Sequence, residues 1–79
     1  MIPVDVLVYL AKSLVDHPEA VEVTPIEEDD GELVLELRVH PDDMGKVIGK
    51  RGRTAKAIRT MVKAAATREG TLATVDIVE

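Results

Sequence analysis

The sequence predicts an α+β fold in which three helices pack on one face of a mixed three-stranded sheet, in the order α-β-β-α-α-β. Apolar residues recur with helical spacing near the N-terminus and again after residue 53, and they alternate with a period of two in three other segments. Two helices separate the second predicted strand from the third, and a crossover of this length is typical of parallel neighbours. We expect residues 1–79 to form one domain, because a chain this short has room for a single core.

The first element is predicted to be a helix over residues 3–16. Pro3 suits the first turn of a helix, and His17 precedes Pro18, which disfavours helical backbone at position 17. An apolar stripe at i, i+3, i+4 and i+7 supports this helix: Leu7, Leu10, Ala11 and Leu14.

The next two elements are predicted to form a β-hairpin. From Ala20 the apolar period becomes two, and Pro25 indicates an edge strand or the end of a strand. Residues 27–31 form an acidic turn, which we interpret as a solvated loop. Apolar residues then recur at every second position over residues 33–39, so a second strand is expected there. They are Leu33, Leu35, Leu37 and Val39, and they alternate with Val34, Glu36 and Arg38.

The C-terminal half is predicted to hold two helices and a strand. Pro41 opens a short helix with Asp42 and Asp43 in its first turn, where carboxylates favour the helix dipole. Gly49 and Gly52 end it, and a longer helix follows over residues 53–69. Its inward side is predicted to consist of Ile58, Met61, Val62 and Ala65. A last strand is expected over residues 72–78, where apolar residues again alternate.

The charge of the chain is strongly segregated along the sequence. The formal net charge is −5, which by itself argues against a nucleic-acid partner. Residues 44–68, however, carry eight of the ten basic residues and no acid, so this window is +8 and the remainder is −13. Phosphate binding depends on the local field, which reaches about 8–10 Å at physiological salt. The acid-free window therefore favours an anionic partner.

The turn Gly49-Lys50-Arg51-Gly52 is the predicted binding element in that window. Glycine permits positive φ and lacks the Cβ atom that would hold a ligand backbone away. The helix that begins after Gly52 presents unpaired N–H groups to an anion. Lys50 and Arg51 add two cations. The alternative is that the turn is only a tight connection between two helices. It is disfavoured because the charged residues of the following helix, up to Arg68, are all basic.

That helix carries a basic track within an arc of about 120° on a helical wheel, made of Arg53, Lys56, Arg59 and Lys63. Lys46, Arg59 and Lys63 could individually be surface cations that only interact with water. Arg68 is better explained as a charge that complements the C-terminal end of the helix dipole.

Other classes of site are excluded or unsupported. The spacing from Gly45 to Gly49-Lys50 departs from the P-loop pattern. His17 and His40 each precede a proline at an element boundary, without a second ligand at metal spacing, and are interpreted as structural. No catalytic arrangement of side chains is apparent, so we expect no enzyme, no metal and no cofactor. The N-terminus lacks the features of a signal peptide and no apolar stretch is long enough for a membrane span, which favours a cytoplasmic location.

The segment Val47-Ile48-Gly49-Lys50-Arg51-Gly52, followed by Ile58, resembles the V-I-G-x-x-G-x(5)-I core of KH domains. The element order resembles the type II KH arrangement. The whole chain, including residues 42–46 and 55–59, is similar to the small stand-alone bacterial KH proteins of the KhpA family.

The resemblance implies binding of about four nucleotides of single-stranded RNA in a groove beside the turn. Its floor would come from Met44, Val47, Ile48, Ala55 and a strand edge. The RNA-binding residues would be Lys46, Val47, Ile48, Gly49, Lys50, Arg51, Gly52, Arg53, Lys56 and Arg59. Since Tyr9 is the only aromatic residue, we expect micromolar affinity and low sequence specificity. RNA and single-stranded DNA remain alternatives.

The same resemblance implies partners and a cellular role. It implies a post-transcriptional regulator or RNA chaperone that forms a homodimer, a heterodimer with a larger Jag (KhpB) type of RNA-binding protein, or both. A link to cell shape and cell-wall organisation, division or the ribosome is also implied. The alternative is a protein-interaction module in which the KH fold supplies a dimer surface and RNA contact is secondary.

Overall fold

A mixed three-stranded sheet carries the helices of this chain on one of its faces, as seen in a computed structural model that describes residues 2–79. The predicted α+β class and element order are confirmed. The helices and strands are α1 (Pro3–Leu14), β1 (Glu22–Glu27), β2 (Leu33–Arg38), α2 (Met44–Ile48), α3 (Arg53–Arg68) and β3 (Ala73–Ile77), with 3₁₀ turns at Pro18–Ala20, Pro41–Asp43 and Lys50–Gly52.

The strand order is β1-β2-β3, with β2 in the centre. β1 pairs antiparallel with β2, so that Glu22 lies opposite Arg38, and β2 pairs in parallel with β3, so that Leu35 lies opposite Val75. The parallel pair follows from the two-helix crossover that joins these strands. Pro25 lies within β1 rather than at its end, which an edge strand tolerates because one side of its backbone has no partner strand.

The core lies between the sheet and the helices. Leu35 and Leu37 of β2 are fully buried, and so are Leu7 and Ala11 of α1. The remaining buried members of the core cluster are Val47, Ile58, Val62, Ala66, Ala73 and Val75. All are aliphatic, as expected from a chain with one tyrosine and no other aromatic residue.

One predicted core residue is wrong. Met61 was expected on the inward side of α3, but its relative exposure is 52%. The buried side of α3 is centred on Val62, and neighbouring residues on a helix are about 100° apart, so Met61 falls at the margin of that side. There it lines a groove with Tyr9 and Leu10 of α1.

The first helix ends two residues earlier than predicted, at Leu14. Val15 is extended, and the backbone N–H groups of Asp16 and His17 bind the carboxylate of Asp43 instead of continuing the helix. The helix predicted to open at Pro41 is divided into a 3₁₀ turn and α2. No helix within residues 2–79 is both long and apolar enough to cross a membrane.

The long axis of α3 separates two regions of opposite charge. The glycine turn precedes its N-terminal end, whereas Asp30 and Glu32 of the acidic hairpin loop lie beside Thr67 and Gly70 at its other end. A 16-residue helix spans about 24 Å. The glycine turn and the acidic hairpin loop therefore lie at opposite ends of α3.

Candidate nucleic-acid interface

The turn between α2 and α3 has positive φ at three of its four residues. Gly49 (φ 75°, ψ 171°) ends α2, and Arg51 (φ 58°, ψ 25°) and Gly52 (φ 72°, ψ 14°) lie in the left-handed region. The N–H of Gly52 donates to the carbonyl of Gly49 at 3.1 Å and closes the turn. This conformation brings the chain from one helix directly into the next.

The two glycines are required for different reasons. A Cβ atom on Gly49 would meet the Oγ1 of Thr54, its Cβ at 2.7 Å and its backbone N at 2.9 Å, so the turn rests directly on the start of α3. A Cβ atom on Gly52 would meet nothing within 4 Å. Gly49 is therefore needed for close approach as well as for its φ, and Gly52 for its φ alone.

Arg51 is strained, since it is the one non-glycine residue with positive φ in the part of the chain that the structure describes. A left-handed conformation costs a residue with a Cβ atom about 1–2 kcal/mol. Strain of this kind concentrates at functional sites, where the surrounding structure enforces it. Its effect here is to hold an exposed guanidinium at the tip of the turn.

Four basic residues at the turn and the start of α3 are exposed and have no carboxylate partner within residues 2–79. They are Lys50, Arg51, Arg53 and Lys56. Cations without carboxylate partners keep their full attraction for phosphate, and these four lie close together in the sequence, at positions 50–56. We call them the basic cluster.

Lys46, in contrast, is already paired. Its Nζ lies 3.1 Å from Oδ2 of Asp16 and 3.8 Å from Oδ1 of Asp43. The hydrogen bond and charge of Asp16 raise the pKa of Lys46 above its usual value. The structure thus directs this predicted RNA-binding side chain toward the end of α1 rather than into the basic cluster.

Asp43 has a role that the sequence analysis did not identify. It is fully buried, and it accepts hydrogen bonds from the N–H groups of Asp16 and His17 and from Nδ1 of His17 at 3.0 Å. The ring of His17 stacks on that of His40, with centroids 4.0 Å apart. Asp43 immediately precedes α2, so its hydrogen bonds join the start of α2 to the segment that follows α1. Its partners are 26 and 27 residues away, so no local sequence signal indicated the contact.

The pKa values of this pair move in opposite directions. Burial would raise the pKa of Asp43, but the hydrogen bonds from His17 and two backbone N–H groups hold it below its usual range. The hydrogen bond to Asp43 raises the pKa of His17, against the effect of burial. Both shifts favour the ionised pair that fixes the start of α2.

The three apolar residues predicted beside the turn, Val47, Ile48 and Ala55, differ in their exposure to solvent. Val47 is fully buried in the core, so its side chain supports α2 from beneath and does not face solvent. Ile48 is 38% exposed and lies next to Gly49. Ala55, predicted in the groove floor, is buried as well. Among these three, Ile48 alone offers apolar surface beside the turn.

The open edge of β3 runs along the basic flank of α3. Leu33 N–H donates to Leu72 carbonyl and Val78 N–H to Leu37 carbonyl, so even-numbered residues of β3 face β2. The backbone groups of odd-numbered residues therefore point away from the sheet. Arg59 Nε donates to one of them, the carbonyl of Val75, at 3.3 Å. Arg59 is thus the residue that connects the basic flank of α3 to the strand edge.

Comparison with known proteins identifies the family. The family model "KhpA/KhpB, KH domain" matches residues 4–77. RNA-binding protein KhpA of Halalkalibacterium halodurans is 57% identical over 72 residues, which cover 90% of this chain and 92% of that protein. RNA-binding protein KhpA of Clostridium perfringens is 56% identical over 87% of this chain and 91% of that protein, and the protein of that name from Listeria monocytogenes is 47% identical over 95% and 97%.

Solved structures support the fold. A crystal structure of Era from Aquifex aeolicus matches with a TM-score of 0.65 and 20% identity, over 95% of this chain and 29% of the Era chain. At this identity the match shows a shared fold and no more. The relatives at 47–57% identity, by contrast, are named RNA-binding proteins. The chain belongs to the KhpA/KhpB KH-domain family, whose members compared here are named RNA-binding proteins.

Proposed function

We propose that the chain acts as one KH domain that binds single-stranded RNA through the turn Gly49–Gly52, with low sequence specificity, as a post-transcriptional regulator or RNA chaperone. The observation that carries the proposal is the basic cluster around that turn, whose members have no carboxylate partner in residues 2–79. A phosphodiester lying across the turn would meet Lys50, Arg51 and Arg53 at once. It would also approach the backbone closely at Gly52, where there is no Cβ atom and the space beside the Cα atom is open.

Single-stranded RNA fits the rest of the surface better than a duplex. Unpaired bases can turn their edges toward backbone groups, and the open edge of β3 offers such groups at Ala73 and Ile77 and the N–H of Val75. Ile48 supplies apolar contact at the turn. Lys56 and Arg59 extend the positive surface along α3. Val47 is buried, and it supports α2 from within the core.

Low specificity is supported by what the groove lacks. Tyr9 is the chain's one tyrosine, there is no phenylalanine or tryptophan, and Tyr9 lies on α1 in a groove with Met61, away from the turn. Stacking on aromatic side chains contributes about 1–3 kcal/mol per base in proteins that use it. Without it, a single short site should bind with micromolar affinity.

Replacing Lys50 and Arg51 together by aspartate tests the proposal. The double variant puts two carboxylates where a phosphate is proposed to lie, and RNA binding should fall below detection. The matched control is Lys12→Asp with Arg38→Asp, which changes the net charge equally at exposed positions outside the acid-free window. If the turn variant binds short RNA as well as the control variant does, the clamp assignment is wrong.

The salt dependence of binding provides a second measurement. Three or four phosphate contacts predict a slope of log K against log salt of about −2 to −3 for a single strand. Parallel titrations with RNA and DNA of one sequence would measure any preference between the two. A flat salt response would contradict a phosphate clamp.

A second function is favoured by the groove between α1 and α3. Tyr9 is 70% exposed and Met61 is 52% exposed, and they lie side by side with Val6, Leu10 and Ala64. We propose that this face binds another KH domain of the family, either a second copy of the chain or a KhpB-type partner. A second linked site would raise the effective concentration of a weak RNA site.

The oligomeric state tests this second proposal. Wild type should form a dimer by light scattering coupled to size exclusion, and Met61→Lys should form a monomer because it buries a charge in an apolar contact. The control is Thr60→Lys, an exposed position outside the groove. A dimer of unchanged stability in Met61→Lys would contradict the proposed face.

A cytoplasmic location and a role in cell-wall organisation stay predictions.

A further inference from the structure

Thr54 occupies a position that the family motif does not specify but the geometry of the turn singles out. It is the second residue of α3, half-buried, and its Cβ and Oγ1 lie in the space that a side chain on Gly49 would need. The hydroxyl therefore stands directly against the backbone of the turn.

The hydroxyl of Thr54 differs from those of the other two threonines of α3. Thr60 Oγ1 donates to the carbonyl of Lys56 at 3.0 Å, and Thr67 Oγ1 donates to that of Lys63 at 2.9 Å, four residues earlier in each case. For Thr54 the equivalent carbonyl belongs to Lys50, which accepts the N–H of Arg53. Thr54 Oγ1 makes no hydrogen bond within residues 2–79, and it is free to donate to a ligand.

The surroundings of this free hydroxyl match one kind of ligand atom. Lys50, Arg51 and Arg53 lie within four residues of it along the chain and have no carboxylate partner among the described residues. A hydroxyl donor beside Gly49, with Arg53 before it and Lys56 after it in the sequence, suits an anionic oxygen. Serine and threonine hydroxyls commonly bind phosphate oxygens of nucleic acids.

We infer that Thr54 is a further RNA contact, whose hydroxyl donates a hydrogen bond to the phosphate that lies over Gly49. This inference rests on the proposed phosphate clamp and deepens it. It assigns the clamp a neutral donor from α3 in addition to the cations of the turn. A hydrogen bond to a charged group of this kind corresponds to about tenfold in affinity.

Valine is the matched replacement, since Thr54→Val keeps the shape of the side chain and removes only the hydroxyl. RNA affinity should fall about tenfold at every salt concentration, with the salt slope unchanged, because a neutral donor releases no counterion. Thr54→Ser keeps the hydroxyl and should bind close to wild type. Thr60→Val, whose hydroxyl is bonded to its own helix, should bind as wild type does.

The Thr54 variants and the double aspartate variant together separate this inference from the function on which it rests. Binding by Thr54→Val equal to wild type, with loss in the Lys50→Asp, Arg51→Asp variant, overturns the Thr54 contact alone. Loss in Thr54→Ser as large as in Thr54→Val also overturns it, because shape and not the hydroxyl would then matter. Unchanged binding in the double aspartate variant overturns the clamp itself. Should valine prevent folding, Thr54→Ala is measured in its place, with the same expected loss and the same contrast to serine.

Discussion

Alanine at Gly49 should damage the turn far more than alanine at Gly52, although both glycines have positive φ. At Gly52 the new Cβ atom meets nothing, so the cost is that of a left-handed residue, about 1–2 kcal/mol. A gain of about 0.4–1 kcal/mol from the stiffer unfolded chain reduces it. The expected net loss in free energy of unfolding for Gly52→Ala is therefore about 1 kcal/mol.

Gly49 adds two further costs. Its φ of 75° and ψ of 171° lie in a region that is almost restricted to glycine, and other residues there cost about 1–3 kcal/mol. The Cβ atom would also come within 2.7 Å of Thr54 Cβ and 2.9 Å of Thr54 N, an overlap that adds about 1–3 kcal/mol. Together these sum to about 2–6 kcal/mol, and the stiffer unfolded chain again offsets about 0.4–1 kcal/mol, so we expect a net loss of about 3 kcal/mol. A small domain has about 5 kcal/mol or little more in total, so Gly49→Ala should retain little stability or have a rearranged turn.

Urea unfolding at 25 °C measures the difference between the two variants. A double-mutant cycle with Thr54→Gly should show that alanine at Gly49 costs less when the Thr54 side chain is absent, while the overlap with the backbone N persists. Equal losses for Gly49→Ala and Gly52→Ala, or no coupling to Thr54, would refute the claim that the turn rests on the start of α3.

Three further outcomes are expected. The stability that His17 contributes should be fully present below its usual pKa of 6.5 and should be lost as the pH rises through its raised pKa. The stability that Asp43 contributes should be present above its usual pKa of 3.8 and should be lost as the pH falls through its lowered pKa. Urea midpoints measured across pH in wild type and His17→Gln would show both effects. Lys46→Ala should change RNA affinity and its salt slope less than Lys50→Ala does, because Lys46 is already paired with a carboxylate; equal effects would contradict this. Arg59→Lys keeps the charge but loses the Nε hydrogen bond to β3, so it should leave the salt slope intact and speed amide exchange in that strand.

The order and pairing of the elements could be predicted because they depend on local periodicity and on chain connectivity. Alternation placed Leu35 and Leu37 on the buried face, and the two-helix crossover indicated the parallel pair. The conformation of the turn followed from its two glycines, which alone tolerate such φ values without strain. Arg51 shows the limit of that reasoning, since nothing in its identity predicts a left-handed backbone.

Contacts between distant segments could not be predicted. The early end of α1 depends on a carboxylate 27 residues away, and the pairing of Lys46 depends on the same junction. Helical periodicity locates the buried side of a helix but not its margins, which are set by the neighbouring elements. Met61 was wrongly predicted on the inward side of α3 for this reason, and Val47, predicted in the groove floor, has a fully buried side chain.

The separation of charge along α3 should determine how the protein meets RNA. The acidic hairpin loop lies about 24 Å from the basic turn, more than two screening lengths at physiological salt, so its repulsion weakens a bound complex very little. At longer range in dilute salt, the two ends act as an electric dipole, and the helix dipole of α3 has the same direction. An approaching strand would rotate the molecule until the turn leads. The uneven distribution of charge, and not the net charge of −5, then determines which part of the molecule meets the RNA first.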